Sequence, residues 1–162
     1  MASDRKPSRQ ANLKHLSEGL LRSAGRIGVR GHLLEIHHPS APVFDPVFLH
    51  TASEAFGVSL SLCQHDTAVS GRRICCDSAS LPFQDRVFKM VVLHHVIGDG
   101  GEPELAEACR VTARDGVLIL LGLNRFGWRF RTLGNIRRLP GLAPLTVRNE
   151  LEQQGMKMQV SR

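Results

Sequence analysis

Imidazole, thiol and carboxylate side chains recur in small groups along this chain: His37-His38, Cys63 with His65, Cys75-Cys76-Asp77, and His94-His95. Each group falls at or just beyond the carboxyl end of an apolar run that reads as a strand. These are the side chains of metal ligation and proton transfer. If the runs form one parallel sheet, its topology gathers all the groups at one edge. No metal-ligand spacing recurs, however, and adjacent residues of a strand point to opposite faces. The groups therefore read as polar pocket lining and core thiols, and no metal site is expected.

Other chemistry is excluded or narrowed in the same way. No Ser-His-Asp order, phosphate-binding loop or paired-carboxylate motif stands out. Gly98-Asp99-Gly100-Gly101 carries no following Lys-Ser/Thr and reads as a connecting turn. Residues 125–138 interleave arginines with Phe126, Trp128 and Phe130. That composition suits a phosphate, a nucleic acid or an anionic membrane surface. A single Arg-rich stretch without a known binding module disfavours nucleic acid. The four cysteines show no CxxC spacing and follow no secretory signal, so free thiols in a reducing cytoplasm are expected.

The elements that must position these residues are legible as alternating patterns. His32–Ile36 is a strand candidate. Asp45-Pro46 opens a helix that Gly57 closes. Val58–Leu62 alternates at period two, Arg73–Cys76 is a short third strand, and Phe88–Leu93 a strongly apolar fourth. Glu102-Pro103 begins a helix to about Ala113, and Asp115-Gly116 turns the chain into the apolar strand Val117–Leu121. Thr146 is expected to cap a helix ended by Gly155, with Met156–Val160 as a last strand. Continuous apolar runs separated by helices predict an α/β fold, doubly wound, with a mostly parallel sheet covered on both faces.

Charge divides the 162 residues further. Residues 1–31 carry a net charge of +5 and residues 125–148 a net +6 with no acid, whereas 32–124 carry a net −5. A basic N-terminal tail and helix (1–31, the helix at 11–24) thus precede a domain, 32–162, whose acidic body, 32–124, is followed by 125–148 as a basic cap or connector. No apolar run is long enough to span a membrane.

The stretch from Cys76 to Ile97, with Leu81-Pro82-Phe83, Val87-Phe88 and His94, resembles the middle of class I S-adenosylmethionine (SAM)-dependent methyltransferases, especially those of quinone biosynthesis. Glu107–Val111 and the Asp115-Gly116 strand look like that family's next helix and strand. The resemblance implies a Rossmann-like sheet with SAM across its carboxyl edge: Glu35 opening the cofactor turn with His37 inside it, Asp66 on the ribose, Asp77 with Ser78 on the adenine, and His94 facing the sulfonium and acceptor. It also implies a cap over the acceptor at 125–148. His94 is the candidate general base. Methyl transfer needs orientation above all.

The chain also departs from that pattern. His37, Pro39 and Ala41 replace the three glycines of the cofactor turn, Lys89 replaces the Asp that follows Phe, and Arg114-Asp115-Gly116 replaces Pro-Gly-Gly. With Arg162 closely following Met156–Val160, the family's seventh strand is expected to be missing, leaving a sheet edge for a second copy or another chain to cover. The sequence thus predicts a cytoplasmic SAM-dependent methyltransferase of a small-molecule acceptor, or a degenerate methyltransferase-like domain that serves as a binding or regulatory partner.

Overall fold

A computed structural model of the chain describes Gly19 and residues 31–37, 57–61, 73–74, 76–98, 100–127 and 140–157. Five strands form one sheet: β1 (Leu33–His37), β2 (Gly57–Ser61), β3 (Arg73–Ile74), β4 (Phe88–His94) and β5 (Thr112–Leu121). Every pairing is parallel and the order is β3-β2-β1-β4-β5. The chain therefore builds outward from β1 to β3, then crosses back to add β4 and β5 on the other side of β1. This is the predicted doubly wound α/β arrangement. Of the helix expected at 11–24 only Gly19, which is helical, lies among the described residues. The helix expected from Asp45 falls outside them, as do 158–160 of the expected last strand; Met156 and Lys157 are not strand.

The strand register sorts the apolar runs onto two faces. Leu34 and Ile36 align with Val91 and Leu93 of β4 and through them with Leu118 and Leu120 of β5. This face carries the main core, closed by Leu105, Ala108 and Val111 of helix α1 (Glu102–Val111) and by Leu151 of helix α2 (Pro144–Gln153). Leu33, Met90 and Val92 form a second cluster with Ile119 and Leu121 on the opposite face. β4, an interior strand between β1 and β5, is buried at every position except Lys89. A strand packed on both faces has no polar side to alternate, which is why Met90–Leu93 is uninterrupted apolar sequence.

Helix ends follow local chemistry with one exception. Pro103 sits in the first turn of α1 beside Glu102 and Glu104, where a missing N–H costs nothing and acids favour the helix dipole. Thr112 is already extended, so α1 ends before Ala113, and its hydroxyl donates to the Ala108 carbonyl at 2.6 Å. α2 starts at Pro144 after Ala143, not with Thr146 as cap. Proline's fixed φ suits the first helical position, and it displaces the start two residues upstream of the hydroxyl. The other end is as expected: Gly155 takes φ 76°, and Gly155 and Met156 donate N–H to Glu152 and Leu151 carbonyls, a Schellman closure.

Asp115-Gly116 does not turn the chain into a strand but lies inside β5. There the ladder slips, pairing Phe88 with Thr112 but Met90 with Val117. The extra β5 residues bulge out, and Asp115 meets the Lys89 ammonium across the strand pair. That exposed pair holds the Asp115 carboxyl below its ordinary range. Two departures from the family pattern thus answer each other: Lys89 and Asp115 are partners.

The crossover into β4 is held by Arg110, in the last turn of α1. Its guanidinium donates to the Leu81 and Phe83 carbonyls at 3.0 and 2.8 Å and pairs with Asp85 and Glu107, both at 2.7 Å. Glu107 in turn accepts the Leu81 N–H at 2.8 Å, and the Arg110 carbonyl accepts the Arg86 N–H at 2.9 Å. Hydrogen bonding from Arg110, followed by that from Leu81, holds the Glu107 carboxyl below its usual value, with burial opposing. Arg110→Ala is expected to cost about 2–3 kcal/mol in urea unfolding, since it strands two half-buried carbonyls and a carboxylate. A group whose folded pKa is depressed stabilises above its unfolded pKa and loses that contribution as pH falls through the folded value. The gap between wild type and variant should accordingly be full at neutral pH and narrow below the ordinary glutamate range; a gap that widens with acid would contradict the assignment.

Candidate functional site

Parallel strands end in step, so their carboxyl ends make one edge. Ser61, His37, His94 and Leu121 are register partners across β2, β1, β4 and β5 and define that edge. Between β1 and β4 the winding direction reverses, and the connections leave for opposite sides. That is where open parallel sheets leave a crevice for ligands.

His94, the last residue of β4, is fully buried, as is His95 at 2% exposure. His95 takes φ 55°, the left-handed region, uncommon outside glycine though visited by asparagine, aspartate and histidine more than by other residues. Its N–H donates to the Leu121 carbonyl at 2.7 Å, tying the turn to the end of β5. Strand alternation predicts that the two imidazoles diverge. They instead lie with ring centroids 4.6 Å apart and planes tilted by 47°, because His95 has left extended geometry and alternation no longer applies.

The other predicted residues are placed as follows. Glu35 lies inside β1, 2% exposed, beside Val92 of β4, two residues short of the edge that His37 completes. Asp77 stands exposed in the turn after β3; its Oδ1 accepts the Ala79 N–H at 3.0 Å and its carbonyl accepts the Ser80 N–H at 3.2 Å. The carboxylate thereby shapes its own turn, and Ser78 is buried beneath it. Asp66, His38, Pro39, Ala41, Cys63, His65 and Cys75 fall outside the described residues. Among the described residues no cluster of His, Cys, Asp and Glu has the makings of a metal site. Cys76 and Cys109 are free thiols, and burial, with Glu150 nearby, pushes the Cys109 thiol up to about 11, leaving it inert at neutral pH.

Sequence reasoning missed a cleft of about 80 Å³ next to this edge, lined by Ile97, Gly101 and Leu105 from the β4–α1 side and by Arg125, Thr146 and Val147 from the far side. It exists because a short parallel pair, β6 (Leu123–Asn124) with β7 (Gly141–Leu142), returns the chain to the edge. Glycine permits the return at two points: a Cβ on Gly98 would sit 2.6 Å from Pro140, and one on Gly122 would overlap Leu142. Only the five glycines spaced through 98–122 hinted at such close approach.

No family model and no curated protein matches the sequence. Solved structures do match its fold. A protein of Methanococcus maripaludis assigned to the SAM-dependent methyltransferases superposes with a TM-score of 0.57 at 16% identity over 98% of this chain and 90% of its own. The [4+2]-cyclase SpnF gives a TM-score of 0.62 at 18% identity over 95% of this chain and 60% of its own. A geranyl diphosphate methyltransferase in complex with GPP and sinefungin gives 0.61 at 11% identity, over 94% and 65%. The chain thus has the Rossmann-like methyltransferase fold and spans under two thirds of the length of these latter two proteins.

His95 provides a direct check on the edge. His95→Gly and His95→Ala both delete the buried ring, but only alanine retains a Cβ at φ 55°. The glycine variant should be the more stable by about 0.5–1 kcal/mol in denaturant melts, against the usual ranking of the two residues. Equal stabilities would mean that the turn relaxes out of the left-handed region.

Proposed function

We propose that the chain is a SAM-dependent methyltransferase acting on a small-molecule acceptor. The observation that carries the reading is the meeting, at the sheet's reversal point, of the ends of β1 and β4 at His37 and His94, with Asp77 in the turn after β3. These are the positions at which the resemblance puts the cofactor's amino-acid end, its sulfonium and its adenine. The structurally similar proteins bearing methyltransferase names, one in complex with sinefungin, a SAM analogue, support it.

The residues present fit such a cofactor. Asp77 offers an exposed carboxylate to an amine, beside buried Ser78. His37 keeps strand pairing on both sides, so this position does not use glycine's positive φ. Glu35, His37, Asp77 and Ser78 would hold the cofactor, together with Asp66 outside the described residues. Bound there, it would supply an electrophilic methyl group on a sulfonium sulfur, with a neutral thioether as the leaving group. His94 is the residue to take the proton that the acceptor's hydroxyl gives up. A second chain is the candidate cover for the outer side of β5, where Val117–Leu121 are only half-buried.

A second reading rests on His37, Pro39 and Ala41, which stand where the family has its glycines. On that reading the chain is a methyltransferase-like domain that has lost transfer and serves as a binding or regulatory partner. That a [4+2]-cyclase shares the fold shows that the fold does not oblige methyl transfer.

Calorimetric titration with SAM and with its demethylated product separates the two. The first reading expects saturable heat with both, and about tenfold weaker binding in Asp77→Ala, the value of one charge-assisted hydrogen bond. No heat at millimolar ligand would sink it. Binding that emerges only in His37→Gly/Pro39→Gly would instead establish the decayed site.

A further inference from the structure

The Arg-aromatic stretch beginning at Arg125 is not used by the proposed reaction, and the structure shows what its first residues do. Phe126 and Leu145 are 73% and 75% exposed, and with the borderline Val87 (37%) they are the only exposed large apolar side chains among the described residues. They are far apart in sequence but not in the fold. The β6–β7 pair joins Leu123 to Gly141 and Asn124 to Leu142, and the Arg125 N–H donates to the Leu142 carbonyl at 2.9 Å. Arg125 and Thr146 line the same cleft, so Phe126 and Leu145 are each one residue from its wall. The Arg125 guanidinium lies 5.3 Å from the centre of the Phe126 ring.

Two exposed apolar side chains beside an arginine are costly in water and comfortable at a bilayer surface. There an aromatic ring sinks to the headgroup level while a guanidinium stays with the phosphates. The charge of the surrounding sequence selects the kind of surface. Residues 125–148 contain six arginines and no acid, against a domain body with a net charge of −5. An anionic lipid surface attracts such a corner while repelling the body, which orients the molecule. No helix among the described residues is long and apolar enough to cross a membrane, so contact of this kind is peripheral.

We propose that the corner carrying Arg125, Phe126 and Leu145 docks this chain on an anionic lipid bilayer, with the adjoining cleft turned toward the lipid. The docking does not depend on methyl transfer and stands or falls separately from it. It does restrict the acceptor, if there is one, to a molecule that partitions into or lies upon the bilayer.

The test is co-sedimentation of the full chain with vesicles of phosphatidylcholine alone and of phosphatidylcholine with phosphatidylserine. Binding is expected only to the phosphatidylserine vesicles, and it should fall steeply as salt is raised. Phe126→Ser and Leu145→Ser should each weaken partition by roughly tenfold, the effect of withdrawing one large apolar side chain from lipid. Both side chains are exposed, so melting temperatures should not change, and a lowered melting temperature would be read out separately from binding. Equal binding to both vesicle types, or wild-type partition in the double variant, would overturn the proposal. So would retention of a single-stranded oligonucleotide with no retention on vesicles, which would assign the arginines to nucleic acid.

Discussion

Arg110 holds the one connection on which the rest of the sheet depends. β4 joins the two halves of the fold, pairing with β1 on one side and β5 on the other. The chain enters it through an irregular stretch, 81–87, that has no ladder of its own. Such a stretch needs partners for its backbone groups, and Arg110 with Glu107 supplies them from the helix that follows β4. The segment before the strand and the helix after it are thereby locked to each other. The position of His94 at the far end of β4 follows from how the near end is held.

The same strand carries the asymmetry of the molecule. One face of the sheet is a conventional apolar core under α1 and α2. The other interleaves Glu35 and His94 with Leu33, Met90 and Val92, so polar groups are buried close to the carboxyl edge. Burying such groups is costly unless their environment is built for them, and it is accepted here just where the winding reverses. His95 adds backbone strain at the same place. Buried polarity gathered at this edge makes it the candidate site, apart from any resemblance.

Charge is arranged with a comparable division. Three cations of the described residues are matched: Arg110 to Glu107 and Asp85, Lys89 to Asp115, Arg148 to Glu152. The excess of arginine in 125–148 begins in sequence at Arg125, directly after β6 and beside the exposed Phe126. Arg125 lines the cleft with the exposed Phe126 next to it, whereas residues 32–124 carry a net charge of −5.

Periodicity and local chemistry alone determined the parallel α/β class, the places of β1, β2, β4 and β5 to within a residue or a bulge, the start of α1 at Glu102-Pro103 and the end of α2 at Gly155. Those features depend on neighbours in sequence: an apolar run that must be buried on both faces, a ring that fixes φ, a residue that can take positive φ. The Asp77 turn and the His94 terminus were legible for the same reason. Tertiary structure decided the rest. The Asp115-Gly116 bulge depends on the register of β5 against β4, and Lys89 has a partner only because of that bulge. The capping of α2 by Ala143 instead of Thr146 depends on where β7 delivers the chain. Nothing in the spacing of Arg110 foretold the carbonyls of Leu81 and Phe83, 29 and 27 residues away, because a hydrogen bond across that separation exists only after the strands between have paired. The pairing of His94 with His95 reverses the sequence expectation outright, since alternation describes a strand and His95 is where the strand stops.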